Sequence, residues 1–317
     1  MSEPSPDSEG AVAVGGVQFF GQYLLAKGLI GPEALREALD YQRSVNIPLG
    51  ALALSKGLLT EKQVLHVHTE QRRSDRMFGE IAVLKGFMTR QQLDELLREQ
   101  KEARVLLGDA LVRKGYLSWE KVAEAYKNYQ AEQAQAEAQV QRRLQRIPNR
   151  LLVDSVIQMS TRMLLRMGGQ VSKLAAVAQE TRLLPREYTF WQEVEGDLPF
   201  AYYLSIGTPE LLALAHAILR AVGEPEEDLP QDVDLLVLDV GKEFVNIVVG
   251  HVCTRLSHDG FSTMPLPPDH AEGEDFSPTL QPGASSINVR LVLPLGDVAI
   301  SIRCEPSRED FPTTRIR

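Results

Sequence analysis

The sequence is short of cysteine, histidine, aromatic residues and long apolar runs, and each shortage removes a class of function. Its two cysteines, Cys253 and Cys304, are too few for a disulfide framework or a thiolate metal site, and both are read as reduced, buried filler. Of its six histidines, His66 and His68 cannot face the same way on a helix, and His251 and His258 have no third ligand at useful spacing. No metal site and no cofactor of the protein's own is therefore expected. No apolar run approaches the ~20 residues that span a bilayer. Met1–Gly16 has neither the basic start nor the apolar stretch of a signal peptide, so a cytoplasmic protein without membrane insertion is expected. A phosphate-cradling glycine loop, a nucleophile elbow and a dinucleotide-binding fingerprint are also missing.

What is present is ordinary globular material: 317 residues, 44% hydrophobic and 24% charged, enough for about two domains. The net charge of −9 is unevenly placed. Through Ile147 there are 20 Lys and Arg against 19 Asp and Glu, and the remainder has 14 against 24. The acidity belongs to the second half. That argues against holding nucleic acid by phosphate neutralisation and for a partner with a basic spot.

The first half repeats. Glycines recur with a period of 29 at Gly21, Gly50, Gly79 and Gly108, and again at Gly28, Gly57, Gly86 and Gly115. A Gln closes three copies at Gln42, Gln71 and Gln100, and the fourth has Tyr129 there. Each copy reads as a short helix ending at Lys-Gly, a turn, and a second helix capped by Thr60, Thr89 or Ser118. Gln63 and Gln92 complete capping boxes, and Gly31-Pro32 replaces that start in the first copy. Units this small cannot bury a face alone, so they should stack into one all-α domain.

The pattern of Phe20-Gly21, Leu49-Gly50, Phe78-Gly79 and Leu107-Gly108 with the closing glutamines resembles the MshEN (type II secretion ATPase N-terminal) domain. The resemblance implies cyclic di-GMP as a ligand, with Gly21, Gln42, Gly50, Gln71, Gly79 and Gln100 as the nucleotide-binding candidates. The family motif opens with an Arg, and Phe19, Pro48, Met77 and Leu106 stand there in this chain. None of the four can stack on guanine as a guanidinium does or pair with a phosphate. A non-binding helical sensor or docking domain is the favoured reading, with cyclic di-GMP binding as its alternative.

From Tyr129 to Arg146 the chain is mostly Ala, Gln, Glu and Arg, and is read as an extension of the last repeat helix into solvent. Pro148 then breaks it. Beyond lie a helix over 151–167, strands at 187–195 and 199–206 about Gly196-Asp197, and a helix from Thr208-Pro209 to Gly223. A long helix at about 231–257, a Pro-rich loop at 264–283 and strands 286–294 and 297–304 complete an α+β domain with antiparallel hairpins. The expected organisation is multidomain: a disordered 1–18, repeats over 19–130, a helical linker 131–148, the α+β domain 149–305 and a tail 306–317.

On the long helix, Asp239, Glu243, Asn246 and Gly250 follow one another at spacings of four, three and four, a polar line apart from the apolar stripe. Spacing alone reads as the solvated side of an amphipathic helix. Glu243-Phe244-Val245-Asn246 and the surrounding element order resemble the CheC/CheX/FliY phosphatases, in the single-motif CheX form, since Asp154 is followed by Ile157 on the first helix. The resemblance implies hydrolysis of the aspartyl phosphate of a CheY-like receiver. Asn246 would orient the attacking water, Glu243 would pair with the receiver's lysine, and Asp239 and Gly250 would line the contact. The Mg²⁺ would be supplied by the receiver, and a homodimer is implied as well. The alternatives are a non-catalytic adaptor for a receiver or a secretion or pilus motor, and a cyclic di-GMP effector.

Overall fold

A computed structural model describes residues 16–304 apart from residue 75 and residues 277–284. The expected tail 306–317, most of the expected N-terminal tail and the end of the Pro-rich loop lie outside the described residues.

Four helix pairs realise the 29-residue period. They are Phe20–Ala26 (α1) with Pro32–Val45 (α2), Leu49–Ser55 (α3) with Glu61–Arg73 (α4), Phe78–Leu84 (α5) with Arg90–Glu102 (α6), and Leu107–Arg113 (α7) with Trp119–Leu144 (α8). The second glycine of each copy closes the short helix at positive φ: 65° at Gly28, 68° at Gly57, 70° at Gly86 and 79° at Gly115. The first glycine has a different purpose. A Cβ at Gly21 would lie 2.5 Å from Leu35 and at Gly108 2.7 Å from Val122, while at Gly79 it would overlap Leu93; at Gly50 the Phe78 ring of the third copy is nearest, at 3.0 Å, with Val64 at 3.5 Å. At Gly21, Gly79 and Gly108 the nearest neighbour is fourteen residues on, in the second helix of the same copy, so the glycine lets the two helices of a unit close on each other; Gly50 instead makes room for the partner unit. The capping boxes form as expected, with Thr60 N donating to Gln63 Oε1 at 2.8 Å and Thr89 N to Gln92 Oε1 at 2.7 Å.

The units do not stack in chain order. The first pairs with the fourth around Leu24, Ala38, Leu111 and Val122, and the second with the third around Ala53, Val67, Ile81 and Leu93. In each pair the contacts are reciprocal, α1 against α8 and α2 against α7, then α3 against α6 and α4 against α5.

Helix α8 corrects the expected solvated linker. Tyr129, Gln133, Ala136, Val140 and Leu144 are buried along one side, and the last three share a core with Leu152, Val153 and Val177. At ~1.5–3 kcal/mol for a fully buried aliphatic side chain, a stripe one residue wide suffices to dock a helix. Val17 joins the same core and Gln18 N donates to Gln133 Oε1 at 2.9 Å, so the ordered chain begins before the expected position 19.

After Asn149, whose φ of 51° turns the chain, come Arg150–Arg166 (α9) and the strands Lys173–Glu180 (β1), Tyr188–Gly196 (β2) and Phe200–Ile206 (β3). Thr208–Val222 (α10) and Leu235–His258 (α11) follow, then Thr263–Pro265 (β4), Asp269–Glu272 (β5), Ser285–Val292 (β6) and Asp297–Cys304 (β7). The strands form one antiparallel sheet in the order β1-β6-β7-β3-β2-β4, with β5 also pairing β2. Both expected hairpins are present, with Phe190 opposite Leu204 and Val289 opposite Ile300. Strand β1 was not expected, because Lys-Leu-Ala-Ala-Val-Ala-Gln-Glu carries few β-branched or aromatic residues; its pairing with β6 supplies what propensity does not. The expected Pro-rich loop contains β5.

The mixed helix and antiparallel-sheet architecture puts α9 and α11 against each other, with α11 lying over β2. Phe190, Tyr202, Leu204, Val289 and Ile300 face that helical layer in a shared core. The helical repeats dock at the β1 edge of the sheet, where α8 lies against β1 within the same core and Gln22 Nε2 donates to Leu293 O at 2.8 Å, and α4 lies against α10. No described helix is long and apolar enough to cross a membrane.

Candidate functional site on the long helix

Helix α11 starts later than expected, at Leu235, because Asp234 accepts from Val237 N at 2.9 Å and so caps it. Val237, Val240, Phe244, Val245, Val248, Val249 and Val252 are buried. Gly241 fixes where the helix rests. A Cβ there would overlap the ring of Phe190 on β2, and that ring is fully buried. Five residues further along α11, about 7.5 Å of rise, stands Asn246; two residues further along β2, about 6.8 Å, stands Gln192. The matched advance brings the two amides together.

Gln192 Nε2 donates to Asn246 Oδ1 at 3.0 Å and to Leu266 O, just after β4, at 2.6 Å. Gln192 is 1% exposed, and its Oε1 is buried with no partner among the described residues. Asn246 itself is exposed. Its amide nitrogen faces outward with donors to offer, and its oxygen retains a second lone pair.

Glu243, one turn before Asn246, is exposed and has no ion pair among the described residues. Asp239 differs from the expectation of a free contact residue: its carboxylate pairs with Lys242 Nζ at 2.7 Å within the same helix. A Cβ at Gly250 would meet no atom within 4 Å, so nothing inside the chain requires glycine there. The line Asp239, Glu243, Asn246 and Gly250 thus lies on one accessible face of α11, with the exposed Leu235, Leu236 and Met264 near it as apolar surface. The arrangement can present a carboxylate and an oriented amide one turn apart to another protein. Burial pushes the thiols of Cys253 and Cys304 up, which keeps both protonated and unreactive.

The six nucleotide candidates of the repeats fall in two sets. Gly21 and Gly79 face the second helix of their own unit, and Gly50 faces the Phe78 ring of its partner unit. Gln42 Nε2 donates to Val105 O at 2.9 Å and Gln100 Nε2 to Ile47 O at 2.9 Å, each tying a unit to its partner unit. Tyr129, the departure from the Gln pattern, makes the same tie, its hydroxyl donating to Gln18 O at 2.9 Å. Gln71 is buried beside a small cavity lined with His68, Arg166, Met167, Ile218 and Ala221, between α4 and α10. Three of the four residues standing at the motif's arginine, Phe19, Met77 and Leu106, are helix N-caps whose N–H groups donate to Gln22, Glu80 and Asp109 at 2.9 Å.

Sequence reasoning passed over Gln192 and Gly241. The signal for Gln192 was an amide at an inward register position, between Phe190 and Val194, where alternation calls for an apolar residue. For Gly241 it was a second glycine in the apolar stripe of the long helix.

No family model matches the chain, and no curated protein matches it. Solved structures of similar fold include a chemotaxis protein CheX from Desulfovibrio desulfuricans, at 15% identity, covering 49% of this chain and 99% of that one with a TM-score of 0.43. A CheC-like superfamily protein from Shewanella sp. PV-4 is 16% identical over 49% of this chain and 98% of that one, with a TM-score of 0.44. A CheX from Borrelia burgdorferi, solved with CheY, BeF3 and Mg²⁺, is 16% identical over 48% of this chain and 96% of that one, with a TM-score of 0.36.

Proposed function

We propose that this chain is a signalling protein of the chemotaxis type that binds a phosphorylated response-regulator receiver and hydrolyses its aspartyl phosphate at Asn246. The observation that supports it most is the pairing of an exposed Glu243 with an exposed Asn246, one turn apart, the latter with its amide held from below by Gln192.

An acyl phosphate is already activated, so the enzyme's task is to place one water in line with the phosphorus. A Mg²⁺ held by the receiver would neutralise phosphoryl charge, a contribution this chain's residues need not make. Asn246 holds the water: the water oxygen bonds to phosphorus, the bond to the receiver's carboxylate oxygen breaks with its electron pair, and both of the water's protons leave on the inorganic phosphate, one of them then passing to solvent. An amide is neither acid nor base here, so its contribution is orientation. Glu243 pairs with a receiver lysine and sets the register of the two proteins, in keeping with the acidity of this half. The site lies toward the β2 and β4 edge and the repeats dock at β1, so the repeats leave this face open while α8 and Gln22 connect them to the sheet. In this reading they tune or localise the activity.

The test is phosphate release from a phosphorylated receiver of the same organism, with the full chain and its Asn246→Ala variant. Loss of release in the variant with receiver binding intact supports the proposal; equal release overturns it. Receiver binding without any release by the native chain would make it an adaptor.

A further inference from the structure

We propose that Gln192 is a positioning residue: it sets which way the Asn246 amide faces. One of the two atoms that Gln192 contacts has a fixed role. Leu266 O is a backbone carbonyl and accepts only, so the group of Gln192 at 2.6 Å from it must be the NH₂. The second proton of that NH₂ points at Asn246, 3.0 Å away, where it needs an acceptor. Asn246 therefore turns Oδ1 inward and Nδ2 outward. The orientation of an exposed amide, ordinarily free to flip, is transmitted from the β4 to β5 connection through one buried side chain.

Gln192 is poorly explained as packing. It stands between Phe190 and Val194 on the inward register of β2, where an aliphatic side chain would fill the space without a polar group to satisfy. It leaves Oε1 buried and unpartnered among the described residues, which costs stability. Asn246 is exposed, so its amide does not depend on Gln192 to be satisfied. What Gln192 adds is a direction for the Asn246 amide. In a site whose chemistry is the placing of one water, that direction governs the rate of the bound complex and not its formation.

The inference rests on the phosphatase reading for its effect on rate, and its structural part can be read without it. The test compares the full-length chain with Gln192→Met, which keeps length and removes the donors, and with Gln192→Asn, which keeps an amide too short to reach both partners. The Asn246 side-chain NH₂ signals, identified by their loss in Asn246→Ala, report on its order by NMR relaxation. Phosphate release at saturating receiver and the receiver dissociation constant are measured alongside. Expected in both variants are a more mobile Asn246 amide, an unchanged dissociation constant and a release rate lower by about ten- to a hundredfold. An Asn246 amide as ordered as in the native chain overturns the inference, as does native release by folded variants of an active protein. Should the native chain and Asn246→Ala release phosphate equally, the phosphatase reading fails, and the NMR comparison still decides whether Gln192 orients the amide.

Discussion

Gly241 of α11 lies directly on the Phe190 ring of β2, so close that a Cβ would overlap it. The ring is fully buried and has nowhere to swing, so an added methyl must lift the helix. Gly241→Ala is expected to destabilise the protein by ~1–3 kcal/mol in urea unfolding, after the gain of up to ~1 kcal/mol in helix propensity is overcome. Gly250 provides the opposite case on the same helix. Its Cβ would meet nothing within 4 Å, so Gly250→Ala should raise stability by up to ~1 kcal/mol. Equal effects at the two positions would show that propensity and not contact with Phe190 governs both.

Glu243 tests the partner contact apart from the chemistry. Its carboxylate is exposed and unpaired among the described residues, so Glu243→Ala should leave the melting temperature unchanged. If it meets a receiver lysine, the substitution should raise the dissociation constant by about tenfold at low salt, and the gap should narrow as ionic strength rises. Titration calorimetry or fluorescence anisotropy at two salt concentrations reads this directly. A salt-independent loss would point to a packing role for the Glu243 stem instead.

The parts of the fold that were legible in the sequence are those set by local rules. The second glycines of the repeats announce helix ends because positive φ is a single-residue preference, and Thr60 and Thr89 announce helix starts because a capping box spans four residues. The first glycines were visible as a period but not as a cause, since what they meet lies in another helix, of the same unit at Gly21, Gly79 and Gly108 and of the partner unit at Gly50. The pairing of first with fourth unit left no local mark. Helix α8 looked polar because its buried side consists of Tyr129, Gln133, Ala136, Val140 and Leu144, only two of them strongly aliphatic. At the candidate site the line of Asp239, Glu243, Asn246 and Gly250 follows from helical spacing alone. The support beneath it, Gln192 and Leu266, is brought there by the sheet and left no local mark, whereas the Lys242 that occupies Asp239 is its i,i+3 neighbour and was open to the same helical spacing.

Tyr129 stands where the other units have glutamine and makes the same tie, donating to Gln18 O at 2.9 Å while accepting from Lys173 Nζ at 2.9 Å. Tyr129→Phe removes one hydroxyl from two bonds and leaves the buried ring among Phe20, Tyr23 and Tyr126. A loss of about 1–2 kcal/mol is expected. Because α8 joins the repeats to β1, the loss should appear in a single unfolding transition followed by both helical and aromatic signals. Native stability in Tyr129→Phe would mean that the ring alone holds the two units, and the equivalence with Gln42 and Gln100 would then be one of position only.

Glu210, in the first turn of α10, is half-buried, and its carboxylate crowds Gly296 so closely that a Cβ there would overlap it. Burial pushes its carboxyl above the usual range, and the nearby Asp297 and Glu187 push the same way, against a hydrogen bond from its own backbone N–H and the pull of Arg186. Asp297 is itself held by Arg186 and Arg290, and Glu187 caps Thr208, so neither of these acids is free to give up its charge to relieve Glu210. A carboxyl with a raised folded-state value binds its proton more tightly folded than unfolded. Its contribution to stability is therefore fully present below the unfolded value and is lost as pH rises through the folded one. Glu210→Gln removes that dependence. Its melting temperature relative to the native chain should rise on going from pH 4 to pH 8, with most of the change just above the ordinary carboxylate range. A difference that stays constant across this interval would mean that the Glu210 carboxylate is as well accommodated in the fold as in water.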